Sequence, residues 1–238
     1  MLTVDFGFMQ VRDGELVLDI GCGEGRHAWE LCKRSKCCVY GVDIDETSLK
    51  KAHYAFYLLK KQEEIKGDWA LAKADITSLP FKSKCFDKIV CSEVLEHVPD
   101  DTTAIRELVR VLKDMGTIAI SVPSYLPETV CWEIDRNYYD RPGGHVRIYK
   151  QSELVAKLKE NNLWVYETRH KHALHSFYWI LRCLFGVNND SALITSLYYR
   201  FLVWDIYHNP RPVRMLETVL DRFFSKSLVL YARKNVTS

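Results

Sequence analysis

The residues best suited to chemistry lie near the start of the chain. Leu16-Val-Leu-Asp-Ile-Gly-Cys-Gly-Glu-Gly25 joins an apolar, strand-like run to glycines at 21, 23 and 25, and a segment of helical period follows over 26–34. Glycine lets backbone approach a ligand closely, and a helix N-terminus offers unpaired N–H groups. A ligand-free strand-to-helix turn and a dinucleotide site are the competing readings. The dinucleotide fingerprint asks for glycine at 21, 23 and 26, and position 26 is Arg. A second apolar run ends in Gly41-Val-Asp43, whose carboxylate, 22 residues after Gly21, is placed to accept both hydroxyls of a ribose. Asp45 reads as the N-cap of the next helix.

Such positions need a sheet to hold them. Apolar runs over 15–20, 37–43, 69–74, 86–91 and 117–122 alternate with segments of helical period, the pattern of an α/β fold with a parallel sheet flanked by helices. Leu49, Ala52, Phe56 and Leu59 make one helical stripe, and Ile105, Leu108, Val109 and Leu112 another. Asp100 or Asp101 is expected to cap the second of these helices, with Gly116 just beyond its end. After Val122 the rhythm breaks. The stretch 123–149 reads as an acceptor-side loop or lid, then come a helix over 151–160, a strand over 163–168, two aromatic-rich helical segments within 171–225, and a closing strand over 227–233. The whole chain, 1–238, reads as one domain, with its binding core in 11–122 and the helical insertion 171–225 before the last strand.

LDIGCGEGR, GVDID, ADITSLPF, FDKIV and SEVLEHVPD, in this order and spacing, resemble the class I S-adenosylmethionine-dependent methyltransferases. Within them the chain is most similar to the group that holds the ubiquinone and menaquinone methyltransferases (type 11). The resemblance covers roughly residues 11 to 122 and extends to Gly144-His-Val-Arg-Ile-Tyr149. It implies a Rossmann-like sheet of about seven strands, S-adenosyl-L-methionine as cofactor, and methyl transfer. At matching positions it implies that Asp19 and the backbone of Gly21 and Gly23, with Cys22 between them, hold the methionine part. Asp43 would take the ribose hydroxyls and Ile44 would pack on the adenine. Asp75 and Ile76 would contact the adenine amino group and ring, Ser92 and Glu93 would face the methyl-donor side, and His97 would border the acceptor. His145, followed by Val146 and Arg147, resembles a His-X-Arg segment of relatives. Plainer roles compete: Asp75 capping a turn before Pro80, Glu93 as a solvated loop residue, His97 ordering the loop before Pro99, His145 as a loop histidine.

Because the sulfonium already activates the methyl group, such a site acts mainly by placing a nucleophile in line within a dry pocket. If the acceptor is a hydroxyl, a base must take its proton. His97, His145, Glu93 or Asp140 could serve, and histidine has the most suitable pKa. No metal is expected. The eight cysteines contain no CxxC pair, and Arg169-His-Lys-His172 with His175 has no carboxylate at ligand spacing and carries an opposing Lys171.

The 33 basic and 31 acidic residues nearly cancel, which argues against a nucleic-acid partner. Tyr, Trp and Phe crowd 123–149 and 171–210, enough ring surface for a small or lipid-like acceptor: a quinone, isoprenoid, other lipid or sugar hydroxyl. The insertion is expected to cap the cofactor, and it allows peripheral contact with a membrane, with Arg200, Arg211 and Arg214 near headgroups. The apolar stretches 173–187 and 191–207 are interrupted by charge and fall short of the ~20 residues of a spanning helix. MLTVDFGFMQVRDGE lacks the marks of a signal peptide, so reduced cysteines and a cytoplasmic setting are expected. Two other functions compete: a non-catalytic protein that binds S-adenosylmethionine as an accessory or sensor, and, remotely, an NAD-dependent oxidoreductase, disfavoured by Arg26 and by SEVLEHVPD.

Overall fold

Every expected strand pairs into one sheet in the computed structural model, which describes residues 2–140, 143–189 and 192–236. The strands are β1 (Leu16–Ile20), β2 (Cys38–Asp43), β3 (Asp68–Lys73), β4 (Phe86–Ser92), β5 (Leu112–Pro123), β6 (Leu163–Lys171) and β7 (Ser227–Lys234). Their order is β3-β2-β1-β4-β5-β7-β6, with β1 to β5 parallel and β7 antiparallel to both β5 and β6. The chain winds outward to β3 on one side of β1 and to β4 on the other. The carboxyl ends of β1 and β4 therefore border the crevice where open α/β sheets hold their ligands.

The helices are α1 (Phe6–Met9), α2 (Arg26–Arg34), α3 (Glu46–Lys61), α4 (Asp101–Val111), α5 (Tyr125–Ile134), α6 (Gln151–Glu160), α7 (Ala173–Leu184), α8 (Leu193–His208) and α9 (Arg211–Phe224). Ala28, Leu31 and Phe56 of α2 and α3 cover one face of the sheet, and Ile105, Leu108, Leu154 and Leu158 of α4 and α6 cover the other. The period-two alternation of a strand lets β7 feed both cores, Leu228, Leu230 and Ala232 on one side and Val229 and Tyr231 on the other. Asp45 caps α3 by accepting from the Thr47 and Ser48 N–H groups, and Asp100 caps α4 through the Thr103 N–H.

Three expectations change. Gly116 does not end α4: the helix stops at Val111 and β5 begins at Leu112, with Gly116 inside that strand. The last carbonyls of α4 need no left-handed cap because other elements take them. Lys234 Nζ donates to the Val109 and Leu112 carbonyls, and the Lys84 and Cys85 N–H groups donate to those of Arg110 and Val111. The stretch 123–149 is not all loop, for 125–134 forms α5, with Pro127 in the first turn, where its missing N–H costs nothing. Among the described residues the insertion holds three helices rather than two, since left-handed Asn209 and Pro210 divide α8 from α9.

Candidate active site

Gly21 leaves β1 at φ +61°, and a Cβ there would lie 2.4 Å from Val94 Cγ2, so only glycine lets this loop pack under the end of β4. Gly23, at φ +53°, has open space where its side chain would be, and its N–H donates to Asp43 Oδ2 at 2.8 Å. Asp43 Oδ1 accepts from the Asp45 N–H at 2.8 Å. The carboxylate at the tip of β2 thus holds both the glycine loop and the start of α3. Behind the loop Asp19 is 1% exposed, and its Oδ2 has no hydrogen-bond partner. Burial pushes its carboxyl up to about 7, a hydrogen bond from the Ala28 backbone pulls the other way, and the nearby Asp43 charge adds to the rise. Cys22, largely buried, is held well above the ordinary thiol range by desolvation and by the Asp19 and Asp43 charges.

In front of this loop lies a cavity of about 850 Å³, within the range of sites for small ligands. Of the residues expected in the site, Gly21, Asp43, Ile44, Asp75, Ile76, Glu93 and His97 line it. Asp19, Cys22, Gly23, Ser92 and His145 are not among its lining residues. Asp75 both lines the cavity and closes a turn, accepting from the Thr77 N–H and Oγ1 at 2.8 Å each. Ser92 acts at one remove: its hydroxyl pairs with that of Ser121 at 2.8 Å, and Ser121 donates to Glu93 Oε1 at 2.9 Å. Asp140 is exposed and does not line the cavity.

The cradle fits S-adenosylmethionine. A buried carboxylate oxygen without a partner suits the methionine ammonium, an aspartate at the β2 edge suits the ribose diol, and exposed Ile44 and buried Ile76 are apolar surface for the adenine ring.

At the other end His97 and His145 meet edge to face, with ring centroids 4.7 Å apart. Nδ1–H of His145 donates to Glu128 Oε1, a carboxylate on α5 that is 3% exposed and also accepts from Trp132 Nε1 at 2.9 Å and the Tyr138 hydroxyl at 3.0 Å. Burial pushes the Glu128 carboxyl up, but the His145 bond with the Lys226 and His145 charges outweighs it and leaves it below its usual value. Burial first, and then His145, lower the pKa of His97.

The segment carrying His145 is strapped down. The Val146 N–H donates to the Glu96 carbonyl at 2.8 Å, and Arg147, Tyr149 and Lys157 converge on Asp101 at 2.9, 2.5 and 2.7 Å. Sequence reading missed Glu128 and Glu96. Ser124 followed by Pro127 was a usable helix-start signal for α5. Glu96 sits in a 3-10 turn, Leu95–His97, where it is buried.

None of the described residues of 171–225 lines the cavity, so the insertion does not cap it there. It reaches the site through α5 instead, where Cys183, Val187 and Trp179 pack with Cys131 and Tyr138. The fold also supplies the carboxylate the 169–175 histidines lacked in sequence, bringing Glu217 of α9 to His172 and His175. Arg214 already pairs with Glu217 and Asp205, so a cation occupies that cluster, and Arg214 is turned inward rather than toward headgroups.

Residues 12–182 match the profile of a family described as "Methyltransferase domain". The chain is 29% identical over 158 residues to 27-O-demethylrifamycin SV methyltransferase of Amycolatopsis mediterranei (strain S699), covering 66% of this chain and 57% of that one. It is 31% identical over 110 residues to a sterol 24-C-methyltransferase of Saccharomyces cerevisiae (strain ATCC 204508 / S288c), covering 46% and 28%. The chain thus spans little more than half, and about a quarter, of these two relatives' lengths. The uncharacterized methyltransferase YcgJ of Bacillus subtilis (strain 168) is 31% identical over 201 residues, 81% of this chain and 76% of that one. The crystal structure of YcgJ superposes with a TM-score of 0.62 at 20% identity, covering 98% of this chain and 97% of that one. With its seven-stranded 3-2-1-4-5-7-6 sheet, its antiparallel β7 and its glycine cradle, the chain belongs to the class I S-adenosylmethionine-dependent methyltransferase domain family.

Proposed function

We propose that this chain transfers the methyl group of S-adenosylmethionine to an oxygen of a small, largely apolar acceptor. The observation that carries the reading is the pair of buried Glu128 and half-buried His145 packed against His97, which lines the cavity. Positioning alone does not require such a pair; removing a hydroxyl proton does. Bound S-adenosylmethionine supplies an activated methyl carbon. Asp43 and Asp19 orient it from the ribose and methionine ends, and Glu93 beside His97 on the cavity wall, with His145 packed behind His97, draws off the acceptor's proton. Relatives named for a rifamycin and a sterol support a small-molecule acceptor with much apolar surface. Labelled methyl should pass from S-adenosylmethionine into the organic-solvent phase of a cell extract. Glu128→Gln and His145→Gln should keep cofactor binding yet lose transfer by about 100-fold or more. Transfer unchanged in both variants would remove the Glu128–His145 pair from the mechanism, and no transfer despite cofactor binding would favour the non-catalytic accessory.

Peripheral membrane contact forms part of this reading. Among the described residues no helix is long and apolar enough to cross a membrane. Yet α9 buries Glu217 while exposing Met215, Leu216, Val219 and Phe223, and α8 buries Asp205 while exposing Leu193, Ile194, Leu197 and Tyr207. Two helices that turn charge inward and apolar residues outward, with exposed Arg200, Arg211 and Arg222 alongside, suit the headgroup boundary of an anionic bilayer. Wild-type protein should float with anionic vesicles, and Met215→Glu with Phe223→Glu should stay behind. Equal flotation of the two would remove this contact.

A further inference from the structure

We infer that Glu96, His97 and His145, a cluster that meets the cavity through His97, form a binding site for a divalent first-row metal cation. The inference rests on the proposed methyl transfer and specifies how the cluster acts. One ligand atom from each residue lies within 4.8 Å of the other two, and His97 Nε2 stands 3.9 Å from Glu96 Oε1. Metal bonds of about 2.1 Å place neighbouring ligand atoms roughly 3 to 3.5 Å apart, so a contraction on the order of 1 Å closes the set.

Each side chain is prepared for that role. Nδ1–H of His145 is committed to Glu128 and Nδ1–H of His97 to the Gly144 carbonyl at 3.2 Å, which fixes both tautomers and leaves both Nε2 lone pairs for a ligand. A histidine whose far nitrogen donates to a carboxylate or a backbone carbonyl is the usual outer-shell arrangement of a metal ligand. Glu96 is 1% exposed, and neither of its carboxylate oxygens has a hydrogen-bond partner. A carboxylate buried in that way is costly unless a charge meets it. Two imidazoles and one carboxylate leave coordination positions open, and His97 brings the cluster to the cavity, as a catalytic rather than a structural metal site requires. The set is invisible to sequence spacing because His145 follows His97 by 48 residues. The second His–carboxylate cluster, at Glu217, differs in that Arg214 already neutralises it.

An acceptor hydroxyl taking an open position on the cation becomes more acidic. Its proton passes to the Glu93 carboxylate, and the oxygen lone pair forms the new C–O bond. The methyl–sulfur bond breaks with its electron pair going to sulfur, which leaves as a neutral thioether.

Mn²⁺ is the suitable probe, because the eight free cysteines would compete for softer metals. Titrated into metal-free full-length protein and followed by loss of the free-ion electron paramagnetic resonance signal, one Mn²⁺ should bind. Glu96→Gln and His97→Gln should each weaken it at least 30-fold, Glu128→Gln about tenfold, and His175→Gln, in the other cluster, should leave it unchanged. Circular dichroism and S-adenosylmethionine binding identify any variant that fails to fold, and His145→Gln then provides the replacement test. No binding below millimolar Mn²⁺, or binding that survives Glu96→Gln and His97→Gln, overturns the metal site. Methyl transfer that persists undiminished in chelator overturns it too while leaving the proposed function standing, whereas Mn²⁺ bound as described with no transfer to any extract counts against the function alone.

Discussion

Asp43→Ala should weaken S-adenosylmethionine binding by at least about 100-fold in a calorimetric titration. Two ribose hydroxyls donating to one carboxylate are charge-assisted bonds of about 1.5–3 kcal/mol each, and 3 kcal/mol already corresponds to a factor of about 150. The loss has a second source. Asp43 also accepts from the N–H groups of Gly23 and Asp45, so alanine frees the loop that must cradle the methionine part. Asp43→Asn keeps one acceptor oxygen and should fall between the two. The core residues behind it, Val42 and Ile20, are untouched, so thermal unfolding should change little. An affinity within fivefold of wild type in Asp43→Ala would remove the ribose from this end of the cavity.

Asp19→Asn should move binding and stability in opposite directions. In the folded protein the Asp19 carboxyl titrates at about 7, against an ordinary 3.8. Between those pH values the native state keeps a proton that the unfolded chain has lost. Unfolding therefore becomes easier as pH rises through the window, and the penalty is complete above about pH 7. Three pH units at 1.36 kcal/mol each set an upper bound of about 4 kcal/mol. The unpartnered amide of an asparagine takes back about 1–2 kcal/mol of that. Ligand-free Asp19→Asn should accordingly be more stable than wild type at pH 8 by about 2 kcal/mol, and the order should reverse toward pH 4, where only the amide cost of about 1–2 kcal/mol remains. The same carboxylate is the partner proposed for the cofactor's ammonium, so the variant should bind S-adenosylmethionine at least 30-fold more weakly, in line with truncation of a buried charge pair. Wild-type affinity should also fall as pH drops below about 7, where Asp19 takes up its proton. Denaturant melts at pH 4 and pH 8 with parallel titrations check both halves. A variant less stable than wild type at pH 8 would show that the charge is already compensated in the ligand-free fold.

A strain of this kind belongs to a site rather than to the scaffold. Asp19 next to the cavity-lining Gly21 loop and Glu96 next to the cavity-lining His97 each keep a buried carboxyl oxygen without a hydrogen-bond partner, whereas Asp101, buried to a similar degree, is fully engaged by Arg147, Tyr149 and Lys157. The second kind holds the loop in place, and the first kind leaves room for a charge to arrive.

Much of the nucleotide end was legible in the residues themselves. Strand runs, helical stripes and the glycines at 21 and 23 are local features, each set by a few neighbouring residues, and β1, β2, α3 and α4 appear where those patterns put them. Asp43 follows from the same logic, since a residue at the end of a parallel strand next to β1 must lie at the sheet's carboxyl edge. Where local rules were applied to a place that tertiary contacts control, they failed. Gly116 carries a helix-stop signal, yet α4 ends without it because Lys234, 118 residues later, satisfies the carbonyls a glycine turn would have freed. The acceptor end was decided only by the tertiary structure: Glu96 and His97 share one turn, but Glu128 and His145 come from two other segments, and no spacing relates the three. They meet because β4 and β5 lie side by side, which sets the 3-10 turn after β4 and α5 after β5 at one edge, while the strap to Asp101 folds residues 144–149 back between them. Periodicity records which face of an element is buried; which distant side chains then share that buried space depends on the order of the strands.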